Sequence, residues 1–332
     1  MSDNAFAVVS LRGDVPDLDV GSADAVGPFR QITLDPALGA ETLIEVVADA
    51  EITTPWILVA GQDEHGLAED LVDRILAGAI GVFGLAGVVL EGGAIPEGIR
   101  DHEVPATIAA GDVAAAVRDL AADIAGRGPR VPEPWARVIA SSRTDVAVRA
   151  TLARRALTDD PAYRPRALTP EQLALLRDLA NRVVPQGDGA TIDLAARLDR
   201  MIEAGESDGW RPTGMSTDVE AYRAGLDALA AIWMRGPAAQ DAVIRRVIDG
   251  DAPSGAVLTP DQLSLWFEDA RNDLARVWLS HPASLARVGY SGFATGGTGP
   301  EPAGYLVLAA GEREEWEPEE LGRLGAAKGR TA

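Results

Sequence analysis

At 332 residues the chain is too long for one average domain and comfortable for two, each able to bury its own core. Its formal net charge of -21 and pI near 4.5 exclude nucleic acid as a partner, because binding phosphates needs Lys and Arg clusters and here carboxylates dominate. The absence of cysteine removes disulfides, thiolate metal sites, iron-sulfur clusters and cysteine nucleophiles together. Lys328 is the only lysine, and this acidic, arginine-using, Ala/Gly/Val-rich composition suits a GC-rich bacterial genome. The opening residues lack a basic n-region, a signal-length apolar run and a twin-arginine pair, so the expected location is the cytoplasm. The longest apolar stretch, Ala77 to Leu90, is interrupted by glycines, and no membrane span is expected.

In chain order, residues 1-127 alternate short apolar runs with helical patterns and predict an α/β domain with an open, mostly parallel, Rossmann-like sheet. Strands are expected at Ala7-Leu11, Gln31-Leu34, Trp56-Ala60, Val82-Leu90 and Ala106-Ala109, with helices at Ala40-Ala50, Leu67-Ala77 and Val113-Gly126. The unbroken apolar run Trp56-Ile57-Leu58-Val59-Ala60 suits a strand covered on both faces. Residues 128-167 carry five prolines around an Arg-rich helical stretch at Val146-Leu157 and read as a structured linker.

Residues 168-318 read as an all-α domain. It opens on Thr169-Pro170-Glu171-Gln172, a helix cap with Pro at the first turn and Gln at the reciprocal position. Thr259-Pro260-Asp261-Gln262 repeats that signature, and the segments that follow do not match, so two similar caps explain it better than a duplication. Between them, helices are expected around Ile192-Ala204, Val219-Met234 and Ala238-Gly250. The helix from Pro260 places Leu263, Trp266, Phe267, Ala270, Leu274, Val277 and Trp278 on one apolar stripe, with Glu268, Asp269, Asn272 and Asp273 expected to face solvent. Residues 319-332 read as a flexible tail.

Chemistry-bearing groups are sparse. His65, His102 and His281 have no metal-ligand spacing, and no nucleophile elbow, Walker loop or dinucleotide fingerprint is present, so no catalytic residue is assigned and no metal site is expected. Gln62-Asp63-Glu64-His65 follows a predicted strand, where carboxylates could hold a divalent ion beside a nucleotide diphosphate. The same residues also suit a polar turn opening the next helix. His102 suits a solvated loop, and His281 a helix C-terminus that favours an imidazolium. From His281 to Tyr305 the chain offers Tyr290, Phe293 and Tyr305 on a backbone loosened by six glycines, which supplies apolar contact area and no reactive group.

Leu168 to Pro318 resembles the gluconate 2-dehydrogenase subunit 3 family. The resemblance rests on Ala180-Asn181-Arg182-Val183-Val184-Pro185, Tyr222, His281-Pro282, Gly289-Tyr290-Ser291-Gly292-Phe293 with Gly304-Tyr305, and Glu315-Trp316-Glu317-Pro318, in that order. It implies a non-catalytic accessory subunit that binds and stabilises an FAD-dependent, glucose-methanol-choline-type sugar or polyol dehydrogenase as a hetero-oligomer. FAD and substrate then belong to the partner, with no cofactor in this chain. The contact residues expected on that basis are Trp266, Trp278, His281, Tyr290, Phe293, Tyr305 and Trp316. The N-terminal half resembles, over fewer residues, the nucleotide-binding part of a family 2 glycosyltransferase, with Gln62-Asp63-Glu64 where that family carries a metal-binding Asp-x-Asp. That resemblance implies a nucleotide-sugar-binding protein using Asp63, Glu64 and a divalent metal, with His65 beside them.

Overall fold

The computed structural model describes residues 6-16, 18, 28-52, 54-187, 190-206, 216-253, 258-292, 306-307 and 309-318. The chain forms two compact units, Met1–Thr158 with Ser280–Ala332, and Asp159–Leu279.

The first unit is built on five parallel strands, β1 (Phe6–Ser10), β2 (Phe29–Thr33), β3 (Trp56–Ala60), β4 (Leu85–Glu91) and β5 (Ala106–Ala109), in the spatial order β2-β1-β3-β4-β5. Every residue of β1 and β3 is buried; β3 is apolar throughout, and Ser10 at the end of β1 donates its hydroxyl to Gly13 O at 2.6 Å. Alternate side chains leave the sheet on opposite sides, so each strand feeds two cores.

On one side Val9, Leu58, Val88 and Leu90 pack with α1 (Ala40–Asp49), α2 (His65–Leu76) and the short α3 (Glu97–Asp101). On the other, Val8, Ile57, Val59 and Val89 pack with α4 (Val113–Arg127), and Val15 and Leu18 join them from the β1-β2 connection. Asp112 caps α4 by accepting from the Ala115 amide at 2.8 Å.

The segment read as a linker is part of this unit. Pro132 and Pro134 do not loosen it; they open α5 (Glu133–Ala140), since Pro fits the first helical turn. Trp135 and Ile139 of α5 and Leu152 of α6 (Val146–Arg155) lie in the same core as Leu58 and Leu71. The guanidinium of Arg149 is buried and donates to the carbonyls of Gly78 at 2.8 Å, Ser141 at 3.0 Å and Thr144 at 2.6 Å. Arg154 likewise donates to Leu76 O at 2.8 Å, so two arginines of α6 satisfy carbonyls at and just beyond the end of α2. The chain returns at Ser280, and Ala286 of α12 (Pro282–Arg287) and Trp316 pack on the same core. The two units divide the chain at 158/159 and 279/280, where the sequence suggested 127/128, 167/168 and 318/319.

The second unit is helical: α7 (Pro170–Val183), α8 (Leu194–Glu203), α9 (Asp218–Ala230), α10 (Pro237–Ile248) and α11 (Pro260–Ser280). Both predicted capping boxes form. The Gln172 amide reaches Thr169 Oγ1 at 3.2 Å and the Thr169 amide reaches Gln172 Oε1 at 3.0 Å, and Thr259 and Gln262 repeat both bonds at the same distances. Trp266 is the centre of this core and lies flat against α9 at Gly225, where a Cβ would sit 2.1 Å from its ring. No helix among the described residues is long and apolar enough to cross a membrane.

If α5 is core rather than linker, Trp135→Ala lowers the unfolding free energy of the sheet unit by about 3-5 kcal/mol. Urea melts of the whole chain measure this, and a loss under about 0.5 kcal/mol, the surface-substitution range, contradicts the assignment.

Candidate functional site

Two regions bring together the side chains singled out in the sequence. The first is the carboxyl edge of the sheet, where the strand order reverses between β1 and β3, the position at which open parallel sheets bind ligands. Arg12 follows β1, Gly61 to His65 follow β3, and Glu91 ends β4. Arg12 Nε reaches Glu91 Oε2 at 3.2 Å, an ion pair linking the ends of β1 and β4 with β3 between them. Beneath it, the Glu64 carboxylate lies over Gly61, so close that a Cβ there would be 2.4 Å from Oε2. Asp63 is exposed in the single 3-10 turn at Gln62–Glu64 that leads into α2.

The imidazole of His65 turns toward Gly93, and its Nε2 is buried without a hydrogen-bond partner among the described residues. Among those residues, no three His, Asp or Glu side chains gather as a metal-ligand set. His102 lies just past the end of α3 and is partly exposed, with its Nε2 2.7 Å from Asp73 Oδ1.

The second region is the returning segment of the same unit. His281 directly follows the last residue of α11, at the helix C-terminus expected of it. It is buried and also begins α12, its Nδ1 accepting the Ala283 amide at 3.1 Å. Beyond α12, Val288 and Tyr290 are exposed, and the Tyr290 ring lies across Gly292, where a Cβ would come within 2.6 Å of Cζ. The Ser291 hydroxyl donates to Glu317 Oε1 at 2.8 Å, and Glu317 Oε2 accepts the Glu314 amide at 2.9 Å. Glu314 in turn accepts the amides of Leu306 and Val307.

Glu317 thus ties Ser291 to Glu314, and Glu314 holds the backbone at Leu306, whose side chain is 87% exposed, while the Tyr290 side chain is 54% exposed. Trp316 secures that structure from below: it packs on the sheet unit's core while the Arg143 guanidinium sits 5.5 Å from its ring. Phe293 and Tyr305 lie outside the described residues. Val288, Leu306, Glu314 and Glu317 escape a reading that looks for aromatics, although the acidic run from Glu312 is plain in the sequence.

The helical unit contributes fewer surface groups than expected. Trp266 is buried, with its ring edge-on to Tyr222 at a centroid distance of 6.0 Å, and Trp278 is partly buried against the same core. Asp273 departs from the solvent-facing role predicted for it, accepting the Tyr222 hydroxyl at 2.7 Å. A buried carboxylate, Asp199, accepts the Tyr163 hydroxyl and the Arg166 amide at 2.6 Å each, and the Leu168 amide at 2.8 Å. These bonds fasten the entry to α7 onto α8.

Burial, followed by the Asp273 carboxylate beside it, pushes the Tyr222 phenol well above its usual range. Burial and the bond to Asp199 push Tyr163 up likewise. Comparison with protein-family models, curated proteins and solved structures finds no match.

Because both phenols are harder to ionise folded than unfolded, their stabilisation is complete below about pH 10, the unfolded value, and is lost as pH rises through the folded values. Denaturant midpoints measured up the alkaline range should fall above that pH. The fall should be shallower in Tyr222→Phe, and an unchanged slope contradicts the assignment.

Proposed function

We propose that the chain is a non-catalytic accessory subunit, part of a cytoplasmic hetero-oligomer with an FAD-dependent sugar or polyol dehydrogenase of the glucose-methanol-choline type. FAD and substrate sit in the partner. The observation that carries this reading is the outward presentation of Val288, Tyr290 and Leu306 from a segment otherwise anchored by Ala286 and Trp316. Large apolar side chains held in place at the surface lose little conformational freedom on docking, which favours them as interface anchors. This segment is also the one whose Gly-Tyr-Ser-Gly-Phe and Glu-Trp-Glu-Pro sequences resemble the subunit 3 family. Trp266 and His281 are buried, so their part is to hold the two units' cores rather than to touch a partner.

The Rossmann-like reading of the sheet unit supports a second proposal, a nucleotide-sugar site using Asp63 and Glu64 with a divalent metal, because both follow β3 beside the order reversal. The local chemistry counts against it. Arg12 is engaged by Glu91, Glu64 lies on Gly61, and a diphosphate would meet Asp63, Glu64 and Glu91 with one arginine to offset them.

Purification of the tagged chain from its native host, with an absorbance scan for flavin and mass spectrometry, separates the readings. The accessory role predicts a yellow complex containing a glucose-methanol-choline-type subunit. Tyr290→Ala should weaken that complex about tenfold or more, as loss of a central aromatic anchor does. A colourless single chain that takes up a UDP- or GDP-sugar with Mn²⁺ in calorimetry would establish the second reading instead.

A further inference from the structure

The solvent face of α11 carries two leucines that remain exposed. The helix is 21 residues long and turns Leu263, Trp266, Ala270, Leu274 and Val277 into the core of the helical unit. At about 3.6 residues per turn, Leu265, Asn272 and Leu279 fall in one line along the opposite face. Leu265 is 44% exposed and Leu279 42%, and Asn272 between them is exposed as well. Leucines repeating at heptad spacing, with an asparagine at the same position midway, form the pattern of a helix-helix seam.

The charges on this face are arranged about the same midpoint. Leu265 and Leu279 stand seven residues before and after Asn272, and Glu268 and Arg276 stand four before and after it, with opposite sign. Glu268 pairs with Arg271 at 2.6 Å and Arg276 with Asp273 at 3.2 Å. Both are short-range pairs of one helix in which Glu268 and Arg276 stay about half exposed, so each still meets solvent.

We propose that α11 is the seam of a symmetric dimer, in which a second copy of this chain lays its own α11 antiparallel across this face. A two-fold axis at Asn272 would bring Leu265 against the second copy's Leu279, and Glu268 against its Arg276, each contact being made twice. The two Asn272 amides would meet on the axis, where a polar pair fixes the register. Charge complementarity selects this occupant: the face presents opposite signs at equal distances from its midpoint, which suits its own copy reversed. A parallel pair would set Glu268 on Glu268 and Arg276 on Arg276, so the same charges specify the orientation. One helix from each copy covers less than the roughly 1,200 Å² of a standard interface, so the dimer is weak and concentration-dependent. The inference concerns the helical unit and stands apart from the flavoprotein reading.

Sedimentation equilibrium of the whole chain over a wide concentration range tests it. Each copy carries a net charge of -21, which opposes association at long range, so the measurement belongs at physiological ionic strength, where exposed charges more than about 8 Å apart are largely screened. The expected result is a monomer-dimer equilibrium that Leu265→Ser and Leu279→Ser each weaken about tenfold, with helix content by circular dichroism unchanged because both side chains face solvent. Glu268→Arg and Arg276→Glu each set like charges across the axis twice and weaken it about tenfold. Glu45→Arg, at an exposed position of α1, leaves it unchanged. Mixing the Glu268→Arg chain with the Arg276→Glu chain restores the dimer, since every contact across the axis then joins opposite signs.

A chain that sediments as a monomer at every concentration overturns the proposal and leaves this face to a different partner. Association indifferent to either leucine, or weakened as much by Glu45→Arg, overturns it too. Single charge variants that pair as well as the unaltered chain rule out the antiparallel seam, as does a mixture of the two that fails to re-pair.

Discussion

A parallel sheet whose central strands are apolar on both faces has to be covered on both faces, and the sheet-bearing unit is organised by that requirement. β1 and β3 are buried along their whole length. One side is closed by α4 and the β1-β2 connection, and the other takes α1 to α3, then α5 and α6, then the returning segment with α12 and Trp316. Burying a large apolar side chain contributes about 1.5-3 kcal/mol, so Trp135, Ile139 and Leu152 give α5 and α6 reason enough to join the sheet rather than hang between domains. The chain's end is drawn back for the same reason, and the presentation of Tyr290 and Leu306 follows from it.

In the helical unit two carboxylates, one of them buried, join the apolar packing in fastening the helices. Asp199 gathers a phenol and backbone amides at the start of α7, and Asp273 takes the hydroxyl of Tyr222, whose ring meets Trp266. A buried carboxylate is costly unless its oxygens find donors, and amide and hydroxyl donors supply the compensation here. The same arrangement removes Trp266 from any role at a surface.

The strands were legible because their signal is local. The run Trp56 to Ala60 coincides with β3, Ala106 to Ala109 with β5, and both Thr-Pro-x-Gln caps are formed as expected. The misreadings share a cause, which is that proximity across the chain leaves little trace in a short window. Pro132 and Pro134 look like linker punctuation until Trp135 has a core to enter. Asp273 looks solvent-facing until Tyr222 is placed opposite it. Arg12 and Glu91 were closer to legible, since residues at the carboxyl ends of strands in one parallel sheet share an edge. That Trp316 belongs with α5, α6 and the sheet is written in no local pattern.

The accessory role makes its most direct claim about where the partner sits. Hydrogen exchange followed by mass spectrometry, on the chain alone and in complex with the flavoprotein, locates that contact. The account predicts slowed exchange at residues 288-292 and 306-317, with the carboxyl edge of the sheet unchanged. Protection centred on Gly61 to Gly66 and Glu91 to Gly93, with the Tyr290 segment unaffected, would contradict it.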